Sequence, residues 1–269
     1  MPASKLKQLR RHLSRFDRVG VAFSGGVDSS FLLRMTLEVL GSHRVLVLHA
    51  RSCLQSKQEQ EDVLTWASQQ GYPAAAMQLR LIETNPLTWK DFTANPENRC
   101  YLCKKHLYNL FLKTLEEEDI SILLDGTNAD DLRQGEDGRP GLQAIKELGI
   151  HTPLAACGLT KEEIRNHSRA LNLHTADRPS SSCLATRIPH GIQITPQRLQ
   201  KIEDLEQALA QEGLTGCRVR LDANTEDTVF VQLQQSNLGQ IHSDSLKKRF
   251  VIPLKKKGVH KIYLDVEGR

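Results

Sequence analysis

A chain of 269 residues, 39% of them apolar, is long enough for two domains and apolar enough to bury a core. Its formal charge of +4 is mild, and six cysteines spread over this length exclude a disulfide scaffold. No apolar run approaches the roughly 20 residues of a membrane span, and the basic start from Met1 to Phe16 lacks a signal peptide's apolar centre. A cytoplasmic protein without a membrane partner is expected.

Leu6, Leu9, Leu13 and Phe16 line one stripe of an amphipathic helix over residues 4 to 16. The apolar strand Val19 to Phe23 then runs into Ser24-Gly25-Gly26-Val27-Asp28-Ser29-Ser30, and Phe31, Leu32, Met35 and Val39 continue with helical spacing. Strand, phosphate-sized turn and helix together suit an anion. Two glycines let the backbone come close, the helix start offers free N–H groups and its positive dipole end, and Ser24, Ser29 and Ser30 add hydroxyls. No Gly-Lys-Ser/Thr follows, so this is not a Walker A loop.

Val45 to His49 reads as a second strand, Ser56 with Glu59 as a capping box opening a helix to about Gln69, Ala74 to Leu79 as a third strand, and Ile120 to Leu124 as a fourth. Strands alternating with helices predict an α/β fold with a parallel sheet, whose ligands gather at the carboxyl ends of the strands. The segments at those ends are therefore candidates. They are the Ser-Gly-Gly turn, His49 with Arg51, and Asp125-Gly126-Thr127-Asn128-Ala129-Asp130-Asp131, where Asp130 and Asp131 are of the type that holds Mg²⁺. Arg139-Pro140-Gly141 starts another helix, and Thr160 with Glu163 caps one running to about Leu171. The polar stretch Arg178 to Pro189 reads as a linker, giving a first domain over 1–190 and a smaller α/β domain over 191–269. The latter comprises a helix from Thr195-Pro196 to about Gln211, strands Arg218 to Leu221 and Val229 to Leu233, a helix near 236–249 and a strand Lys261 to Val266.

Cys100 and Cys103 stand at the start of a helix carrying Leu107, Leu110, Phe111 and Leu115, where the helix end and Arg99, Lys104 and Lys105 favour thiolates. Cys183 lies between Arg178 and Arg187. Three thiolates suit a 4Fe-4S cluster with one iron open to exogenous sulfide; a zinc site completed by His106 and a set of redox or unliganded thiols are the alternatives. Cys53, Cys157 and Cys217 lack spaced partners and read as small buried hydrophobes. Lys247-Lys248-Arg249 and Lys255-Lys256-Lys257 could attract phosphates or nucleic acid, or form a solvated basic face.

Ser24 to Ser29 fills the Ser-Gly-Gly-x-Asp-Ser pattern and resembles the PP-loop of ATP pyrophosphatases, which split ATP between the α- and β-phosphates. Together with Arg99-Cys100-Tyr101-Leu102-Cys103, Gly126 to Asp131, Arg139-Pro140-Gly141, Gly158 to Arg165 and Cys183-Leu184-Ala185-Thr186-Arg187, it makes residues 15 to about 220 resemble the LarE family. These are sulfur transferases that act on a pyridinium biscarboxylic acid mononucleotide during assembly of a nickel-pincer cofactor. The resemblance implies that ATP adenylates a substrate carboxylate and that sulfur then replaces the activated oxygen. It implies ATP contacts at Ser24, Gly25, Gly26, Asp28, Ser29, Ser30, His49, Arg51, Gly126 and Asn128, and Mg²⁺ at Asp28, Asp130 and Asp131. Substrate would meet Arg187, Arg218 and Arg220. Sulfur would be handled at Cys100, Cys103 and Cys183, with a 4Fe-4S cluster whose extra sulfide comes from an external sulfur donor. The family also implies a homo-oligomer and a small nucleotide rather than nucleic acid as partner.

One departure stands out. After Arg218-Val219-Arg220 the family continues toward Ala-Arg-Ile-Glu, whereas this chain has Val229-Phe230-Val231-Gln232, losing an anion or metal contact. A tRNA thiolase and a non-catalytic nucleotide- or zinc-binding module are the competing readings.

Overall fold

The computed structural model describes residues 2–72, 77–134, 139–179, 182–238 and 244–268. Its contacts divide the chain into two compact units. The first comprises Met1–Ser52, Lys57–Thr84 and Asn98–Ser180; the second comprises Cys53–Ser56, Asn85–Glu97 and Ser181–Arg269. Where one boundary near 190 is expected, the chain thus passes to the second unit at 181, and two short earlier segments join it.

The first unit opens with helix α1 (Pro2–Leu13), strand β1 (Val19–Ala22), helix α2 (Val27–Leu40), strand β2 (Val45–Arg51) and helix α3 (Lys57–Gln69). Strand β3 (Gln78–Glu83) follows; α4 (Lys90–Thr93) belongs to the second unit, and α5 (Arg99–Glu116), β4 (Leu123–Leu124), α6 (Ala129–Arg133), α7 (Gly141–Glu147), α8 (Pro153–Ala156) and α9 (Lys161–Ala170) complete the first. The sheet order is β3-β2-β1-β4, with every pairing parallel.

Strand residues alternate between two cores, as the period of two demands. Val45 and Val47 pack with α1, α2, Trp66 of α3 and Ile164 of α9, while Leu46 and Leu48 face Tyr108, Phe111 and Leu115 of α5 and Ile145 of α7. Both faces of the sheet are covered, as all-parallel sheets require. The third strand begins at Gln78, later than the expected Ala74 start, and residues 73–76 of that expectation lie outside the described residues. It pairs only with β2, so its polar outer side suits an edge.

In the second unit helix α10 (Pro196–Gln211), capped by Thr195, precedes strands β5 (Arg218–Leu221) and β6 (Thr228–Gln232), helices α11 (Gln235–Leu238) and α12 (Asp244–Lys256), and strand β7 (Lys261–Asp265). Here β5 pairs antiparallel with β6, and β6 parallel with β7. The helix expected near 236–249 is described over Gln235–Leu238 and Asp244–Lys256, and residues 239–243 lie outside the described residues. Among the described residues no helix is long and apolar enough to cross a membrane.

Candidate functional site

The chain adds β2 and β3 on one side of β1 and then returns to add β4 on the other. The turns after β1 and β4 thus flank the point where winding reverses, the usual ligand crevice of such a sheet. Gly25 takes a φ of +77°, a left-handed conformation that favours glycine. Gly26 caps α2 in an extended conformation without a side-chain cap, so the first N–H groups of that helix await an acceptor. Ser24 and Ser29 hydroxyls lie 3.0 Å apart and brace the turn, and Ser29 Oγ also donates to the Gly26 carbonyl at 3.2 Å. The buried Ser30 Oγ has no partner. Gly126, after β4, faces this turn so closely that a Cβ there would sit 2.9 Å from Ser29 N.

Asp28 occupies the first turn of α2. One carboxylate oxygen meets Lys161 Nζ at 2.5 Å; the other, Oδ1, is buried and makes no hydrogen bond of good geometry among the described residues, although the Asn128 side chain also bears on this carboxylate. Burial raises the Asp28 pKa against the opposing pull of Lys161, with Asp131 adding to the rise. Lys161 is positioned by the Thr160–Glu163 capping box of α9, and its own backbone N–H donates to Asp130 Oδ2 at 2.7 Å. Arg178 adds a second cation, bound to the Asp62 carboxylate and reaching the Gly25 carbonyl at 3.4 Å. Neither Lys161 nor Arg178 is evident as a site residue from sequence. Lys161 is 133 positions from Asp28, and only folding joins them.

Asn128 caps α6 by accepting from Asp130 and Asp131 N–H groups, and Asp131 returns the bond to Asn128 N at 3.1 Å. Asp131 also pairs with Arg139 at 2.7 Å, and Asp130 with Arg133 at 3.0 Å. The segment read as a turn with two cation ligands is thus a capped helix start whose carboxylates already hold cations or N–H groups. His49 is 2% exposed and its Nδ1 donates to the Phe23 carbonyl at 2.8 Å, a direction fixed because a carbonyl only accepts. Burial lowers its pKa, so the ring is neutral and braces the strand that enters the turn. Arg51 pairs with Glu83 at 2.6 Å across the edge strands.

Cys100 is exposed and Cys103 half-buried, both within the first five residues of α5. That helix is fixed to the β4 end through Asp125, which takes bonds from Tyr108 and Thr127 and lies 3.7 Å from Lys104. Burial alone would raise the Asp125 pKa, but Lys104 and these hydrogen bonds prevail and lower it. Cys183 belongs to the second unit, where its carbonyl accepts from Thr186 and from Arg187 Nη1 at 3.1 Å. Among the described residues no group of three or more His, Cys, Asp or Glu side chains gathers as metal ligands would, including Cys100 and Cys103 with His106. Cys157 and Cys217 are buried as expected; Cys53 is exposed instead.

Arg187, expected to meet substrate, lies buried in a network of hydrogen bonds. It is 5% exposed, and its guanidinium meets Glu206 at 2.8 Å and donates to the Ser182 carbonyl at 2.6 Å and to Thr186 Oγ1 at 2.9 Å. Glu206 in turn accepts from Val219 N at 2.9 Å, tying the Cys183 turn to β5. Arg220 is exposed on that strand, whereas Arg218 is half-buried.

A helix start without a side-chain cap, a buried carboxylate and two adjacent cations fit a nucleoside triphosphate with its divalent cation. The comparisons agree. Residues 2–147 match the family model described as a PP-loop domain. The chain is 34% identical over its full length to an uncharacterized protein of Synechocystis, 96% of which is covered. It is 26% identical over 99% of its length to pyridinium-3,5-bisthiocarboxylic acid mononucleotide synthase of Lactiplantibacillus plantarum, covering 92% of that protein. Over 62% of its length it is 27% identical to one polypeptide of the glutamine-hydrolyzing GMP synthase of Methanopyrus kandleri, covering 54% of that polypeptide. With the loop and the parallel sheet in agreement with the family match, the chain belongs to the PP-loop proteins, ATP-utilising enzymes, and its full-length likeness to the mononucleotide synthase supports the resemblance to the LarE family.

Proposed function

We propose that this protein is an ATP-dependent sulfur transferase acting on the carboxylate of a small nucleotide. The observation carrying the proposal is the buried Asp28 carboxylate beside the uncapped start of α2, in a chain related over its full length to a synthase whose product is a thiocarboxylic acid. The substrate class follows from that relative, whose product is a pyridinium bisthiocarboxylic acid mononucleotide.

The helix start and the Ser24, Ser29 and Ser30 hydroxyls hold the phosphates, and Asp28 Oδ1 offers Mg²⁺ its carboxylate ligand. Mg²⁺ held there would supply charge neutralisation for the departing pyrophosphate. A substrate carboxylate oxygen attacks the α-phosphorus, the bond to the bridging oxygen breaks, and pyrophosphate leaves. Lys161 and Arg178 stabilise the charge that develops there. Sulfide then attacks the acyl carbon of the adenylate, AMP carries away the carboxylate oxygen, and a thiocarboxylate and one proton remain.

Cys100, Cys103 and Cys183 are the proposed sulfur-handling thiols. Thiolates are the right donors for a 4Fe-4S cluster, the cofactor form that the family resemblance implies, but the described residues gather no three-ligand set that would hold one. Pyrophosphate release from ATP with candidate carboxylated nucleotides tests the adenylation half. Release from none of them overturns the reading. Iron and acid-labile sulfide measured on protein purified without oxygen test the state of these thiols: bare thiols agree with the described residues, and about four of each per chain would overturn that reading in favour of a cluster.

A further inference from the structure

The second sheet has one dry face and one wet face. Val219, Leu221, Val229 and Val231 are buried, while Arg220, Phe230 and Tyr263 are exposed. Strand register sets these three in one row, Arg220 opposite Phe230 and Phe230 opposite Tyr263. The two rings stack with centroids 5.0 Å apart and planes 16° from parallel, yet remain 40% and 51% exposed. In the next row Gln232 accepts from Arg220 at 3.4 Å and donates to Asp265 Oδ2 at 2.6 Å. Phe230 and Gln232 are the two residues that depart from the family pattern.

We propose that this face binds single-stranded RNA, with a base stacking on the Phe230–Tyr263 pair. Three features select that occupant. An exposed aromatic pair on a sheet is a sequence-tolerant platform for bases. By strand register Arg218, Arg220 and Lys261 share the side of the sheet that carries the two rings, against one carboxylate, Asp265, so the face holds a local excess of +2 to meet phosphates. Beside the rings, the Asp265 carboxylate, which already accepts from Gln232 and from Glu267 N, has further lone pairs with which to accept from a ribose 2′-hydroxyl, which DNA lacks. A second copy of the chain fits less well, because two half-exposed rings supply far less than the roughly 800 Å² per partner of a stable interface. The proposal is independent of the sulfur chemistry.

The test is fluorescence anisotropy of the full chain with a labelled oligoribonucleotide of about 12 nucleotides, long enough to span a single binding face. Binding at about 50 mM salt that weakens steeply with added salt is expected. The Phe230→Leu/Tyr263→Leu variant keeps apolar bulk but loses the ring faces, and should bind about tenfold or more weakly. Phe230→Tyr should retain affinity. Thermal unfolding near that of the parent and unchanged pyrophosphate release from ATP would show that the loss is local. No binding by the parent protein overturns the proposal, as does binding that survives the double leucine variant. Equal affinity for the matching DNA overturns the assignment to RNA. Light scattering that shows the double variant breaking an oligomer identifies a second copy as the occupant and likewise overturns it.

Discussion

The molecule contains two part-buried ion pairs of similar geometry and opposite meaning. Arg187 and Glu206 in the second unit are saturated: their hydrogen bonds run to backbone and hydroxyl groups and to each other. Asp28 and Lys161 in the first unit are less fully bonded, with one carboxylate oxygen buried and without a hydrogen bond of good geometry among the described residues, beside an uncapped helix. A buried pair is costly to desolvate, and full hydrogen bonding offsets that cost. Where the bonding is complete the pair holds structure. Where a lone pair and several N–H groups are left over, the missing partner is a ligand.

The sharpest way to break this comparison is to remove the incomplete site. Asp28→Asn is expected to lower the rate of pyrophosphate release by about 10²–10³-fold, the magnitude of losing one preorganised charge contact in an active site. It should also leave the fold slightly more stable at neutral pH. Burial raises the Asp28 pKa above 3.8, so its contribution to stability is present below the unfolded value and lost as pH rises through the folded one. A variant that lost stability and kept its rate would reverse the roles assigned here. Cys183→Ala extends the same logic downstream: thiocarboxylate formation should disappear, followed by mass spectrometry of the product, while pyrophosphate release continues. Loss of both would place Cys183 in the adenylation step instead.

At the saturated pair the expectation inverts. Arg187→Met leaves Glu206 buried without its cation and should cost about 3–5 kcal/mol in denaturant unfolding of the full chain. Arg187→Met/Glu206→Leu should recover most of that loss. If the single variant unfolded normally but lost substrate affinity, Arg187 would be a binding residue after all. A smaller effect tests the meeting of the two turns. Gly126→Ala drives a methyl group against Ser29 N and should cost about 1–3 kcal/mol and slow pyrophosphate release, read by thermal melts and rate together.

The smallest effect is in pH. The pKa values of His49, His12 and His174 are lowered, chiefly by burial, so the unfolded chain binds protons at a higher pH than the folded one. Stability contributed by these rings is present above 6.5 and falls as pH drops below that unfolded value toward the folded ones. His49→Gln should flatten part of the acid limb of a melting-temperature profile. An unchanged slope would mean that His49 is not held neutral.

The short-range features are legible in the sequence because their physics is local. Ser24 to Ser30 declares strand, turn and helix through glycine spacing and apolar period, and Thr160 with Glu163 declares a helix start three residues long. The third strand starts later than its pattern suggests because the apolar run before it attracts the assignment, whereas an edge strand needs few apolar residues. Asp130 and Asp131 read as cation ligands because a capping box and a metal loop use the same residue types; only their bonds to Asn128 and Arg139 tell them apart.

Local sequence sufficed for the loop, the α/β alternation and the cysteine spacing, since each depends on neighbours within a turn or a strand. Packing had to decide that Lys161 and Arg178 join the loop, that Arg187 is spent on structure, and that Phe230 meets Tyr263 on an open sheet face. Those outcomes depend on burial and on partners far apart in the chain. A charge or a ring acquires its role from what else is desolvated beside it, and only the packed fold fixes that.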